Sequence, residues 1–330
     1  MKTAVLAIDA TRDTAQTIEN LARGLIRFQN VGLLENVHVV SVMHPDSYLL
    51  PYSYYRDQKY HLAEQSKLEL AMKLDPELKV SSVEILVTDG QAMEDHVVLL
   101  DRFAHSVEAD VLVVGTNEKS TLSYLVQGSF AEAASLGSSL PVLVFGGAAG
   151  HARIGQPPTI LVALSPTARP SPRLRRQIVN LAGSLRANIS LLPVNDQSQW
   201  FSFDRDLDNK SAEAIRREFV MEGTLSVKIL TNEPVLPGRV PSIVDQRQAL
   251  LTVFCSTPET LRKPWFLPSL NGRVIAEMSR PILLLKETMR PPQFESRKRD
   301  DMRTSDREAS ELNGARQRAN QALRLRADLI

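Results

Sequence analysis

The stretch that decides the fold runs from residue 110 to residue 129 and reads DVLVVGTNEKSTLSYLVQGS. Its apolar run, Val111–Val114, has the composition of a strand buried in a parallel sheet. Gly115 follows directly and permits close approach of a backbone or a ligand. Gly128 and Ser129 start a helix, whose free N–H groups suit a phosphate. The pattern predicts either a ligand site at the carboxyl edge of a sheet or two glycines that only shape a turn and a helix start.

The same order of strands and helices occurs twice along the chain. Apolar runs of the first half have counterparts in the second half, in the same order: Val5–Ile8 and Ile160–Leu164, Val37–Val42 and Ile189–Val194, Val83–Val87 and Val227–Leu230, Val111–Val114 and Leu250–Phe254, Val142–Phe145 and Ile282–Leu285. An amphipathic helix follows the first strand of each half. In the second half, Ser171 and Pro172 predict an N-cap followed by proline at the first helical position.

Strands that alternate with helices imply βαβ units, so we expect an α/β fold with two doubly wound, open, mainly parallel five-stranded sheets in tandem. The predicted boundaries place domain 1 at residues 1–147, a linker at 148–157 and domain 2 at 158–287. The linker is rich in glycine and proline. Residues 288–330 are highly charged and predict a tail that is a solvated helix, disordered, or a docking segment for a partner.

The last strand of each half would be an unpaired edge if the halves stood apart. Val142–Phe145 and Ile282–Leu285 are both apolar, and exposed apolar edges promote aggregation. We therefore expect these two strands to pair with each other in antiparallel fashion, which makes the chain a pseudo-dimer. Because that contact is used internally, we expect a monomer or a weak dimer.

Composition excludes several classes of protein. The 330 residues carry 39 basic and 38 acidic side chains, a net charge of +1, which argues against a role in coating nucleic acid or an anionic membrane. No apolar run approaches the roughly 20 residues that span a bilayer. Cys255 is the only cysteine, so an internal disulfide is excluded. We expect a cytoplasmic protein with no membrane insertion and no nucleic-acid partner.

Signatures of common catalytic sites are absent from the sequence. The six histidines form no close pair with zinc-ligand spacing, so no metal site is expected. Neither the phosphate-loop pattern Gly-x4-Gly-Lys-Ser/Thr nor the nucleophile elbow Gly-x-Ser-x-Gly occurs. The carboxylates do not suggest a catalytic pair. We therefore expect a protein that is not an enzyme.

The first half resembles a universal stress protein domain of the nucleotide-binding kind. The family signature is Gly-x2-Gly-x9-Gly-Ser/Thr after the fourth strand, with an aspartate at the end of the first strand. Gly115, Gly128, Ser129 and Asp9 fit that register. The resemblance covers about residues 2–286, is more specific in the first half, and implies a tandem protein with the adenine nucleotide alpha hydrolase-like fold.

The resemblance also implies roles for individual residues. Asp9 and Val42 would contact the adenine or the ribose of a bound adenine nucleotide. Gly115, Gly128 and Ser129 would hold its phosphates. ATP or another adenine nucleotide is therefore the expected cofactor, with no metal site evident.

Two departures from the family pattern bear on that expectation. Glu118 stands where the ATP-binding members have glycine, and a carboxylate about 4 Å from a phosphate costs roughly 1–4 kcal/mol. Lys119 would offset part of that repulsion. In the second half, Ser165 replaces Asp9 and Cys255 replaces Gly115, so we expect a degenerate site there. Cys255 is expected to be a small buried side chain, the alternative being a reactive thiol activated by nearby positive charge.

Two classes of function follow. The resemblance implies an adenine-nucleotide-binding sensor or regulator in the stress response, with slow ATP hydrolysis as a weaker variant. The alternative is an interaction or scaffold module that binds no nucleotide and docks an unidentified partner protein. It would use its charged tail and its aromatic segments, Tyr48–Tyr60 and Trp200–Phe203.

Overall fold

The computed structural model describes residues 1–8, 15–44, 52–89, 93–115, 130–145, 158–164, 170–194, 205–221, 226–231, 235–256, 278 and 280–286. All of them belong to one compact unit that spans Met1–Thr288. The predicted linker, 148–157, and the predicted tail, 288–330, lie outside the described residues. The predicted domain boundaries therefore stay predictions.

Strands and helices alternate along both halves. The first half contains β1 (Thr3–Ala7), α1 (Ala15–Asn30), β2 (Asn36–Met43), α2 (Tyr52–Lys73), β3 (Ser82–Val87), α3 (Met93–Ser106), β4 (Val111–Gly115), α4 (Phe130–Gly137) and β5 (Val142–Phe145). The second half contains β6 (Thr159–Leu164), α5 (Pro172–Leu185), β7 (Asn188–Pro193), α6 (Arg205–Met221), β8 (Val227–Ile229), a 3₁₀ turn (Pro237–Arg239), α7 (Val240–Arg247), β9 (Leu251–Ser256) and β10 (Ile282–Lys286). The predicted α/β class is confirmed.

The strands of both halves lie in one ten-stranded sheet with the order β3-β2-β1-β4-β5-β10-β9-β6-β7-β8. Each half contributes five parallel strands, and the two predicted five-stranded sheets are joined edge to edge by β5 and β10. These two strands are antiparallel, with Leu283 opposite Leu143 and Leu284 opposite Val142. The predicted pairing of the last strands is confirmed, and neither of them is left as an exposed edge.

Helices cover both faces of the sheet because neighbouring residues of each strand point to opposite sides. In β1, Leu6 joins a core layer with residues of α1, whereas Val5 joins the other layer with residues of α3 and α4. Both layers continue from the first half into the second across β5 and β10. Burial on both faces explains why these strands are uninterrupted apolar runs.

The first helix of the second half begins as its sequence predicts. The Ser171 hydroxyl accepts a hydrogen bond from the backbone N–H of Leu174 at 3.3 Å, and Pro172 is the first helical residue. The helix ends at Leu185, and the C-cap residue that follows, Arg186, has a left-handed φ of 49°. These caps satisfy backbone groups that the helix itself leaves unpaired.

Antiparallel joining gives the two halves opposite strand directions. The carboxyl ends of the second-half strands therefore lie at the same edge of the sheet as the amino ends of the first-half strands. Residues at the end of β10 are thus brought beside the turn that precedes β5. The carboxyl edge of the first half, where the candidate site lies, is at the opposite edge.

Candidate functional site

The candidate site lies at the carboxyl end of β1, where the strand order of the first half reverses. β1 pairs with β2 on one side and with β4 on the other, all in parallel. Ile8 donates a backbone hydrogen bond to the Val40 carbonyl at 2.9 Å and is the last described residue before the segment that contains Asp9. The segments after Ile8 and after Gly115 therefore begin at neighbouring strand ends. Such a reversal point is where open parallel sheets bind ligands.

Gly115 ends β4 at a place where a side chain would not fit without movement. A Cβ added to Gly115 would lie 3.0 Å from Cδ1 of Leu21, which is buried in α1. The opposite neighbour of Gly115 is Phe145 of β5. The absence of a side chain therefore lets β4 end close beside α1. The steric limit set by Leu21 is evidence for the importance of Gly115 that does not depend on the sequence pattern.

Val42 is half-buried near the carboxyl end of β2 and packs against the core layer that contains α3 and α4. It lies opposite Leu86 of β3. The structure thus places Val42 and Gly115 at the same edge of the sheet, with β1 between their strands. Two of the predicted site residues are therefore brought to one edge, and their contact with a ligand stays a prediction.

The other predicted site residues, Asp9, Lys119, Gly128 and Ser129, lie outside the described residues. Glu118, the departure from the family pattern, also lies outside them. What the structure does establish is where the two segments that carry them start. One starts at Ile8 and the other at Gly115.

Two histidines near Val42 were missed by sequence reasoning. The rings of His44, which follows β2, and His96, in the first turn of α3, stack with centroids 4.6 Å apart at 30°. His96 is buried. His44 follows Val42 by two residues, so in an extended chain the two side chains point to the same face of the sheet. That spacing is the one feature of the sequence that could have placed His44 near Val42. The residues are 52 positions apart (96 − 44) and share no motif.

The aromatic segment after β2 divides into two parts. Tyr55 is fully buried, and its hydroxyl lies 3.0 Å from the Met43 carbonyl and 2.9 Å from the Thr88 carbonyl. It therefore ties α2 to the carboxyl ends of β2 and β3. Tyr54 and Tyr60 are exposed. Tyr48 and the aromatic segment of the second half, Trp200–Phe203, lie outside the described residues.

The position of the second half that matches Gly115 carries a different residue, and its strand runs in the opposite direction to β4. Cys255, which replaces Gly115, is buried near the end of β9 opposite Leu285. The expectation of a small buried side chain is confirmed. Ser165, which replaces Asp9, lies outside the described residues.

Two other features are absent from the part of the chain that the structure describes. No group of three or more His, Cys, Asp or Glu residues within the described ranges could hold a metal ion. No helix among the described residues is long and apolar enough to cross a membrane.

Comparison with known proteins agrees with this architecture. Residues 1–146 match the model of the universal stress protein family. A universal stress protein from Archaeoglobus fulgidus is similar over 86% of this chain and 96% of its own, with a TM-score of 0.59 and 15% identity. A candidate universal stress protein from Pseudomonas aeruginosa is similar over 87% and 93%, with a TM-score of 0.51 and 13% identity.

At such low identity, the likeness to these two structures shows the fold alone, and it extends over both halves of the chain. No match was found among curated proteins. The membership of the second half in the family stays a prediction. The family match covers the first half, with the strand reversal and the close approach of Gly115 to α1. Residues 1–146 are therefore the part of the chain that matches the universal stress protein family.

Proposed function

We propose that the first half binds an adenine nucleotide at the carboxyl ends of β1 and β4 and that the chain acts as a nucleotide-responsive regulator. The observation that carries the proposal is the position of Gly115. It ends β4 at the strand reversal, in a place where a Cβ would lie 3.0 Å from Leu21. An added Cβ would require Leu21 to shift by a few tenths of an ångström, so glycine keeps the backbone close to α1 at the edge where open parallel sheets bind ligands.

The proposed roles follow the family resemblance. Asp9 and Val42 contact the base or the ribose, and Gly115, Gly128 and Ser129 hold the phosphates. Ser129 immediately precedes α4, so the first N–H groups of that helix complete the phosphate site. Glu118 opposes the negative charge of the phosphates, and Lys119 offsets part of that repulsion.

The proposal is for binding and not for turnover. The sequence offers no general base in a pattern that activates water, and the proposed ligands of the phosphates are mostly backbone groups. We propose that nucleotide occupancy changes the surface that a partner meets, in a cytoplasmic protein of the stress response. Slow hydrolysis would be incidental.

The test is to identify what the purified full chain carries. Denaturation should release about one adenine nucleotide per chain, which mass spectrometry identifies. The protein from which this nucleotide has been removed should bind ATP again. Guanosine triphosphate serves as the matched ligand control, because it carries the same phosphates on a different base. A protein that is empty and stays empty in millimolar ATP contradicts the proposal.

A second candidate function is favoured by one observation. One side of α2 exposes large apolar residues, among them Tyr54, Leu68 and Met72, the last with 78% of its surface accessible. Leu68 and Met72 are one helical turn apart and lie on the same side. Exposed apolar residues of this kind are typical of surfaces that contact another protein. A protein that binds no nucleotide but loses its cellular role on Leu68→Ser and Met72→Ser would support this alternative.

A further inference from the structure

A lysine of the second half is buried against the first half. Lys286 is the last residue of β10, its side chain is almost fully buried, and its Nζ donates a hydrogen bond to the carbonyl of Ser138. Ser138 lies 148 residues earlier in the chain. The matching position of the first half is Gly146, so this contact has no symmetric counterpart from a lysine.

The turn that Lys286 reaches is held from a second direction. Asp101 of α3 accepts hydrogen bonds from the Ser138 hydroxyl at 2.6 Å and from the Ser139 backbone N–H at 2.8 Å. His105, one turn further along α3, has its Nε2 2.9 Å from the Ser139 hydroxyl. The turn after α4 is therefore fixed by α3 on one side and by the second half on the other.

This turn terminates the helix that starts at the proposed phosphate site. α4 runs from Phe130 to Gly137, and the Ser138 N–H donates to the Ala134 carbonyl at 3.0 Å. A helix of eight residues is about 12 Å long. A contact that restrains its carboxyl end therefore also limits where its amino end, directly after Gly128 and Ser129 in the sequence, can lie.

We propose that Lys286 is a positioning residue through which the second half holds α4 in place and thereby sets the affinity of the first half for phosphate groups. The proposal rests on the proposed function for its effect on binding. Its structural part, the fixing of α4, stands apart from any ligand. The second half then serves as an internal support for the site of the first half, although its own site is degenerate.

Burying the charged ammonium group of Lys286 costs free energy, which argues that the contact serves a purpose other than stability. Burial lowers the pKa of Lys286 to about 8, and the nearby Asp101 carboxylate opposes that shift. A methionine could fill the same space without a charge to desolvate. The ammonium group does offer what methionine cannot, namely a donor for the carbonyl at the negative end of α4.

The test compares two lysines of the second half in the full chain. Lys286→Met removes the contact, and Lys228→Met, at an exposed position in β8, is the matched control. ATP and adenosine are titrated into each protein by calorimetry. We expect Lys286→Met to weaken ATP binding about tenfold and to change adenosine binding by less than about twofold, because only the phosphates depend on α4. Lys228→Met should match the parent protein.

Hydrogen exchange of the α4 amides, measured without any nucleotide, decides the structural part. In Lys286→Met, the backbone amides of residues 130–137 should exchange about tenfold faster than in the parent protein and in Lys228→Met. Asp101→Asn, which weakens the same turn from α3, should have a similar effect and serves if Lys286→Met does not fold.

The outcomes separate the two proposals. Unchanged exchange of α4 overturns the positioning role of Lys286, as does equal weakening of ATP and adenosine. A parent protein that binds neither ligand overturns the proposed function, and faster α4 exchange would then still support the structural part.

Discussion

Leu283 of the second half lies directly opposite Leu143 of the first half, and both side chains are buried in the same core layer. This pair sits in the short antiparallel ladder between β5 and β10. Both core layers continue through that ladder. The halves should therefore unfold together.

A charge at this junction should destabilise the whole described unit. We expect Leu283→Asp to lower the free energy of unfolding by about 3–5 kcal/mol, because a carboxylate would be buried without a partner. Urea unfolding followed by circular dichroism measures the change. The control is Leu68→Asp, a matched change on the exposed side of α2, which should stay within about 0.5 kcal/mol. Equal effects of the two variants would contradict the role of the junction.

Adding a side chain at Gly115 should destabilise the protein, whereas adding one at Gly183 should not. Gly115→Ala places a Cβ 3.0 Å from Leu21, so we expect a loss of about 1–3 kcal/mol in stability and weaker ATP binding. Gly183, in α5, has open space around its Cβ position. Gly183→Ala should be neutral or stabilise by up to about 1 kcal/mol, because alanine is a better helix former. Thermal unfolding of both variants measures this difference, and a harmless Gly115→Ala would remove the argument for close approach.

The hydroxyl of Thr252 should cost stability. Thr252 is fully buried in β9, and among the described residues its Oγ1 has no hydrogen-bond partner. Thr252→Val replaces the hydroxyl with a methyl group of similar shape, so we expect a gain of about 1 kcal/mol. Thr252→Ser keeps the hydroxyl and loses the methyl group, and it should lose about 1 kcal/mol. A Thr252→Val protein less stable than the parent would show that the hydroxyl is satisfied.

Stability should depend on pH through Lys286. Its pKa is about 8 in the folded protein, against an ordinary value of 10.5, because burial disfavours the charged form. Between those values the unfolded chain holds a proton that the folded protein has released, so the free energy of unfolding rises with pH. Below pH 8 the full cost of the buried charge is present.

The comparison that isolates this residue is with Lys286→Met. From pH 7 to pH 10, the parent protein should gain about 2–3 kcal/mol relative to Lys286→Met in urea unfolding. Lys228→Met, which removes an exposed lysine of the same half, should follow the parent protein across that range. A constant difference between the parent protein and Lys286→Met would contradict the lowered pKa.

The strands could be predicted from sequence because burial on both faces leaves a continuous apolar signal. Val142–Phe145 was predicted with its observed bounds, and Val111–Val114 lacked only Gly115. β9 was predicted at residues 250–254 but runs from Leu251 to Ser256. Its last residues, Cys255 and Ser256, pair with Leu285 and Lys286, and that partnership is invisible in the local sequence.

Side-chain contacts between distant segments could not be predicted. Lys286 and Ser138 belong to different halves, and a single lysine at the end of an apolar run gives no periodic signal. The stacked rings of His44 and His96 depend on the packing of α3 against the sheet. Tyr55 differs from its exposed neighbour Tyr54 only by its direction on α2. Composition shows that the segment is rich in aromatic residues, but it does not predict which ring is buried.

The central claim, that the first half binds an adenine nucleotide, is tested most directly by calorimetric titration of ATP into the full chain and two variants. Asp9→Ala removes the carboxylate at the end of the first strand, and Ser165→Ala changes the matching position of the second half. We expect the parent protein to bind about one ATP and Asp9→Ala to bind it more weakly by roughly 1–3 kcal/mol, the scale for a charge-assisted hydrogen bond. Ser165→Ala should leave the affinity unchanged. No binding in millimolar ATP, or equal affinity of Asp9→Ala and the parent protein, would contradict the proposed site.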